Sequence, residues 1–254
     1  MNYKLDGDGK TLVFIHGLSD NLLYWEFLAS NLKCNYQVLR FDLRGHGESE
    51  LGTEEITIES YVNDLNNLLD ELNMSKINLI GFSLGGAVAL DFTIRYPQKV
   101  DSLVLMSSFY RVDDCLRDSL NQFKTSLNVG FEEFYDTILP MVLCPDVIEN
   151  NINELEMLKE IASQNANTEA YIKAVDACLN FNAEKHLSDI YVPTLILAGK
   201  HDEISTLDMQ KEMQDKIENS KLIVFDDVKH NLLVGKNNAK ILSSISNFLG
   251  KWLF

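Results

Sequence analysis

Basic residues are scarce in this chain. Lys and Arg number 22 against 38 Asp and Glu, a formal net charge of −16. Nucleic-acid binding relies on neutralising phosphates with Lys and Arg, and no basic stripe exists here, so that class is set aside. Also missing is any apolar run of the roughly 18 residues that a membrane span needs. The opening, Met1-Asn2-Tyr3-Lys4-Leu5-Asp6-Gly7, lacks the apolar stretch of a secretory signal, so a cytoplasmic location is expected. The four cysteines, Cys34, Cys115, Cys144 and Cys178, form no C-x-x-C pair. In a chain without an export signal they are expected as reduced thiols in packed positions. No H-E-x-x-H or clustered Cys/His pattern calls for a metal, and no cofactor is expected. Gly9-Lys10-Thr11 resembles the tail of a phosphate loop, but Lys4 stands where its first glycine belongs. Internal repeats, low-complexity tracts and charged tails are absent too.

What is present is ordinary for a globular enzyme: 254 residues, 46% hydrophobic and 24% charged. Short apolar runs rich in β-branched residues alternate with helical patterns. The runs are Thr11–Ile15, Gln37–Phe41, Ile77–Ile80, Ser102–Met106, Thr194–Ala198 and Lys221–Phe225. Near-continuous apolar strands of this length suit a parallel sheet buried on both faces. Between them run stripes at helical spacing, such as Ile58, Val62, Leu65, Leu69 and Leu72, or Ile241, Ile245, Phe248 and Leu249. Strand–helix alternation implies right-handed crossovers and an open α/β sheet, whose ligands bind beyond the carboxyl ends of the strands.

The alternation fails between about residues 109 and 189, which read as helices alone. Stripes fall on Leu116–Leu127, Phe131–Ile138, Ile152–Leu158 and Tyr171–Cys178, and Pro140 and Pro145 are expected to break the second from the third. The predicted organisation is a core of residues 1–108 and 190–254, with residues 109–189 as a helical cap over the strand ends.

Gly81-Phe82-Ser83-Leu84-Gly85-Gly86 follows one of these strands and opens a helical stretch from Ala87 to Tyr96. This is a G-x-S-x-G elbow in its strand–turn–helix setting, with Ser83 as candidate nucleophile. The glycines remove Cβ clashes in so tight a turn, and the helix amino end favours developing negative charge. A serine hydroxyl needs a base. Of five histidines, only His230 follows the last strand, at the same sheet edge as Ser83. His16, His46, His186 and His201 are expected to serve structure or brace loops. The base needs a carboxylate to fix its tautomer. Asp202, just past Thr194–Ala198, is the candidate, with Glu203 its nearest rival; Asp226 and Asp227 are assigned to the strand end and turn.

In combination, His16-Gly17-Leu18, Asp42-Leu43-Arg44-Gly45-His46-Gly47-Glu48-Ser49, Gly81–Gly86, and Gly199–Asp202 with His230 make the chain resemble the α/β-hydrolase superfamily. The resemblance is to its small capped members: esterases, enol-lactonases, carrier-protein methyl esterases and cofactor-free haloperoxidases. It implies an α/β-hydrolase fold, with a mostly parallel central sheet flanked by helices and a helical cap inserted between two strands. It also implies an oxyanion hole from the backbone N–H groups of Leu18 and Leu84, and a structural role for the Asp42–Ser49 turn. The family's leading hairpin must be trimmed here. A serine at position 83 counts against epoxide hydrolases and haloalkane dehalogenases, which place Asp there.

The expected activity is cleavage of a small, mainly apolar acyl ester by a Ser-His-Asp triad through an acyl-enzyme. Alternatives are a lactonase, methyl esterase or C–C bond hydrolase on the same triad, or a ligand-binding signalling protein of the same fold. Phe109, Phe123, Phe131, Phe134, Met141, Leu143 and Met157 are candidates to line an apolar acyl pocket. From Phe109 to Asp189 there are 15 acidic and 6 basic residues, a difference of −9. Such a lid is a poor dock for an acyl carrier protein, itself acidic. The expected partner is therefore a small-molecule ester rather than a carrier protein, nucleic acid or membrane. Monomeric and homo-oligomeric forms both fit these patterns.

Overall fold

Apolar runs too short for helices and flanked by turn residues form the middle of the sheet. The computed structural model describes residues 1–252, and its strands are β1 (Tyr3–Asp6), β2 (Thr11–Ile15), β3 (Gln37–Phe41), β4 (Ile77–Phe82), β5 (Val100–Met106), β6 (Thr194–Gly199) and β7 (Ser220–Phe225). Their order is β1-β3-β2-β4-β5-β6-β7, with β1 antiparallel to β3 and the remaining pairs parallel. Every residue of β2, β4 and β6 is buried, as strands covered on both faces require.

β1 has no counterpart among the sequence runs, because Tyr3, Lys4 and Leu5 are exposed and carry no alternation. It is held by its ladder to β3 and by charge. The buried Arg40 guanidinium, on β3, reaches Asp6 at 2.8 Å and Glu26 at 2.6 Å.

The described helices are α1 (Glu26–Leu32), α2 (Ile58–Glu71), α3 (Leu84–Arg95), α4 (Asp114–Val129), α5 (Phe131–Val142), α6 (Pro145–Asn150), α7 (Ile152–Asn165), α8 (Thr168–Leu179), α9 (Leu207–Lys216) and α10 (Asn238–Trp252). Strand side chains alternate between two cores. Leu12 and Phe14 face α1 and α10, packing with Trp25, Leu28, Ile241 and Ile245. Val13 and Ile15 face the opposite side, with Val62 and Leu65 of α2 and Val88 of α3. α2 begins in a capping box, with Thr57 and Ser60 each accepting from the other's backbone N–H at 2.9 Å. Among the described residues, no helix is long and apolar enough to cross a membrane.

α4 to α8 lie between β5 and β6. The two ends of this insertion meet where Arg111 pairs with Asn182 and the Ala183 N–H donates to the Tyr110 carbonyl at 2.8 Å. Three details depart from the sequence reading. Pro140 lies inside α5, not at a break: it forfeits the bond its N–H would have made to the Asp136 carbonyl, and the helix runs only two residues further, to Val142. On α7 only Leu155 is buried, while Ile152 and Leu158 stand about half exposed. Of the thiols, Cys178 is buried, and that burial pushes it up to about 12, but Cys34 and Cys115 are exposed.

The junction of β2, β4 and α3 leaves no room for side chains. A Cβ on Gly85 would land on the carbonyl oxygens of Ile15 and His16, and one on Gly81 on the backbone of Gly85 and Gly86. Gly85→Ala is expected to cost several kcal/mol, at the upper end for single substitutions. Urea unfolding checks this; an unchanged midpoint would mean that the elbow is not sterically locked.

Candidate active site

Ser83 joins β4 to α3 with φ 51° and ψ −118°, a left-handed conformation that a non-glycine residue adopts only under constraint. The constraint is visible. The Ser83 N–H donates to Met106 O at 2.9 Å, while its carbonyl accepts from Gly86 N at 2.9 Å, Ala87 N at 3.1 Å and Ser108 Oγ at 3.1 Å. Strain of this kind costs about 1–3 kcal/mol, and it projects Oγ above the sheet at the amino end of α3.

His230, on the loop after β7, places Nε2 2.9 Å from Ser83 Oγ and Nδ1 2.8 Å from Asp202 Oδ2. An ionised carboxylate only accepts, so Nδ1 carries the proton and Nε2 is left as acceptor for the serine O–H. Asp202 and His230 are both buried. The Asp202 carboxylate is held from every side. Oδ1 accepts from Ile204 N at 2.9 Å and Ser205 N at 3.0 Å, and Oδ2 accepts from Ser205 Oγ at 2.9 Å. Ser205 was not singled out from the sequence, although an Asp followed three residues on by Ser is the pattern of a self-capping turn. Glu203 points away: its carboxylate is exposed and pairs with Lys229 at 3.2 Å.

The His230 loop is clamped between core and cap. On the core side, Gly199 lets the loop touch β6, because a Cβ there would strike the carbonyls of Val228 and Lys229. On the cap side, Lys229 Nζ donates to Pro140 O at 2.8 Å and Asn231 N to Val142 O at 3.0 Å. Lys229 and the Asn231 N–H thus satisfy carbonyls at the carboxyl end of α5, which have no partner within the helix. Tyr24 adds a hydrogen bond to Asn231 Oδ1 at 3.1 Å and stacks on Phe82, whose ring lies 5.2 Å from the His230 imidazole.

Leu18 and Leu84 border the same space, and among the described residues neither backbone N–H is taken by another acceptor. The space is a cavity of about 870 Å³ roofed by α4, α5, α7 and α8. Of the seven cap side chains marked as candidate lining, Phe109, Phe123, Phe131, Phe134 and Leu143 face it. Met141 packs into the core instead, and Met157 is 62% exposed. Among the described residues, no three His, Cys, Asp or Glu side chains converge as a metal site.

The other histidines lie elsewhere. His186 and His201 are exposed. His16 is buried: its Nδ1–H donates to Gly17 O at 2.8 Å, and Nε2 accepts from Leu43 N at 3.0 Å, tying the Leu18 turn to the Asp42–Ser49 turn. That turn is built around Asp42, which accepts from Leu22 N at 2.7 Å, Asn2 Nδ2 at 2.7 Å and Glu48 N at 2.9 Å. His46 packs 5.3 Å from His16, and its buried Nε2 has no partner. Burial depresses both imidazoles, His16 to about 4 and His46 to about 3, with His16 adding to the effect on His46.

An unfolded histidine titrates near 6.5, so below that pH the unfolded chain binds protons that these two folded sites refuse. Stability should therefore fall as pH drops from about 6.5 towards 4, each histidine contributing a slope of about 1.4 kcal/mol per pH unit. His46→Phe is expected to flatten the profile by about one proton's worth. Urea titrations at a series of pH values check it, and parallel profiles for variant and wild type would refute it.

Comparison with known proteins places this geometry. Residues 10–134 match the family model described as alpha/beta hydrolase fold. An uncharacterized protein of Mycobacterium tuberculosis is 32% identical over 142 residues, 56% of this chain and 40% of that protein. The matched region thus spans less than half the length of that relative. Among solved structures, MGS-M2, an alpha/beta hydrolase enzyme from a deep-sea metagenome, superposes with a TM-score of 0.91 at 22% identity, covering 98% of this chain and 94% of that one. The enol-lactonase from Burkholderia xenovorans gives a TM-score of 0.88 at 23% identity, covering 98% and 96%. With a seven-stranded, mostly parallel sheet, a serine elbow after β4 and a helical cap after β5, the chain has the α/β-hydrolase fold.

Proposed function

We propose that this protein is a serine hydrolase that cleaves a small, mainly apolar acyl ester, with Ser83 as nucleophile, His230 as general base and Asp202 orienting the imidazole. One observation carries the reading: the unbroken hydrogen-bonded chain from Asp202 through His230 to Ser83 at the floor of an apolar cavity.

The chemistry follows from the protonation pattern. His230 Nε2 accepts the Ser83 proton as Oγ attacks the acyl carbonyl. The tetrahedral oxyanion then lies within reach of the Leu18 and Leu84 N–H groups, and such preorganised donors contribute several kcal/mol to acyl transfer. Collapse of the intermediate passes the proton from His230 to the departing alcohol. Water, deprotonated by the same nitrogen, releases the acid and restores Ser83. A lactone undergoes the same steps with its alcohol still tethered to the acyl group, so an enol-lactone like that of the Burkholderia relative is a second reading. The cap, taken as residues 109–189, sets the acyl pocket, and its charge of −9 keeps an acidic carrier protein at a distance.

Ser83→Ala is expected to lower kcat/KM for p-nitrophenyl esters by at least about a thousandfold and to abolish fluorophosphonate labelling. Within a series of p-nitrophenyl esters, acyl groups longer than acetyl should be preferred. Full turnover by the alanine variant would refute the assignment.

A further inference from the structure

The cavity above Ser83 holds a carboxyl group that the reaction just described does not use. Asp20 follows the Leu18 turn after β2 and faces the cavity together with Leu18 and His230. Its Oδ2 stands 3.1 Å from where a Cβ on Gly17 would sit, and the Gly17 backbone is its hydrogen-bonding partner. Among the described residues no lysine or arginine acts on it; the one cation-forming group that does is His230. Tyr24, before α1, and Tyr171, on α8, line the same cavity, and the Asp20 charge adds to the burial that raises both phenols. Burial raises the Asp20 carboxyl to about 7, against the pull of His230 and the Gly17 hydrogen bond.

The remaining charged groups around the cavity do not offset this acid. Asp42 is saturated by its three hydrogen bonds, and Glu48 is a second acid. Lys4 stands on the exposed strand β1, and no arginine lines the cavity. A substrate carboxylate brought to the reacting serine would therefore meet a like charge in a desolvated space, with no cation beside it. Repulsion between unit charges a few ångströms apart is strong where water is excluded.

We propose that Asp20 is a specificity-determining residue that excludes carboxylate-bearing acyl groups and restricts the site to uncharged esters. The proposal rests on the acyl-ester reading above.

Two esters of equal length provide the test: p-nitrophenyl pentanoate, ending in methyl, and mono-p-nitrophenyl glutarate, ending in carboxylate. At about pH 8, above the Asp20 transition, wild type is expected to favour the pentanoate by ~100-fold in kcat/KM. Asp20→Asn should shrink that preference ~tenfold by gaining activity on the glutarate. In wild type the preference should widen as pH rises from about 6 to 8, and in Asp20→Asn it should stay nearly flat. A gain on one substrate cannot arise from misfolding, and Asp20→Ser provides a second variant with the same expectation.

Binding of methyl pentanoate and monomethyl glutarate to Ser83→Ala, with and without Asp20→Asn, reads the same selection by calorimetry without turnover. A protein that hydrolysed neither p-nitrophenyl ester would sink the hydrolase reading, while the binding pair would still decide the role of Asp20. An unchanged preference on replacing Asp20, in turnover or, where turnover is absent, in binding, would overturn the proposal.

Discussion

Everything at the site depends on how closely α3 approaches the end of β2. At Gly81 and Gly85 backbone meets backbone with no side chain between, and that contact forces the turn at Ser83 into its left-handed conformation. The same approach aligns the amino end of α3 with the Leu18 turn, so Leu18 and Leu84 border one space instead of two. The positions of Ser83 and of the candidate oxyanion donors are thus consequences of a single steric fact, held in place by apolar packing on both sheet faces.

The polar groups around that junction are placed by satisfying buried hydrogen bonds. Asp42 gathers three donors, and Asp202 gathers two N–H groups, a hydroxyl and the imidazole. A buried carboxylate surrounded in this way has no freedom to turn, and the imidazole bonded to it inherits that rigidity. His16 and His46 solve the same problem by remaining neutral. Asp20 stands apart, since its carboxyl faces the cavity with little to compensate it. Uncompensated groups of this kind concentrate where a protein meets its ligand rather than where it packs against itself.

Cap and catalytic loop are not independent parts. Hydrogen bonds from Lys229 and Asn231 to the last turn of α5 make the position of His230 sensitive to the roof above it. The roof supplies apolar walls from α4, α5, α7 and α8 and leaves Leu158 and Ile161 of α7 both in the cavity lining and about half exposed. The cavity walls and the placement of His230 therefore share one helix end.

The sequence by itself determined the sheet and the chemistry-bearing turns. Its six apolar runs became β2 to β7, the first five largely buried and β7 only at Phe225, and Ser83, Asp202 and His230 each follow one of them, because hydrophobic periodicity and glycine placement are local properties of the chain. The exposed strand β1 and the short helices α1 and α9 escaped that reading, since β1 is held by its ladder to β3 and by Arg40, and the two helices are too short to repeat an apolar stripe. Only the tertiary structure decided that Ser205 locks Asp202, that Lys229 draws Glu203 away from His230, and that Asp20 looks into the cavity. Apart from the local Asp202–Ser205 turn, these depend on which side chains meet across tens or hundreds of residues. Burial, hydrogen-bond geometry and charge act on distances in space, which spacing along the chain does not encode.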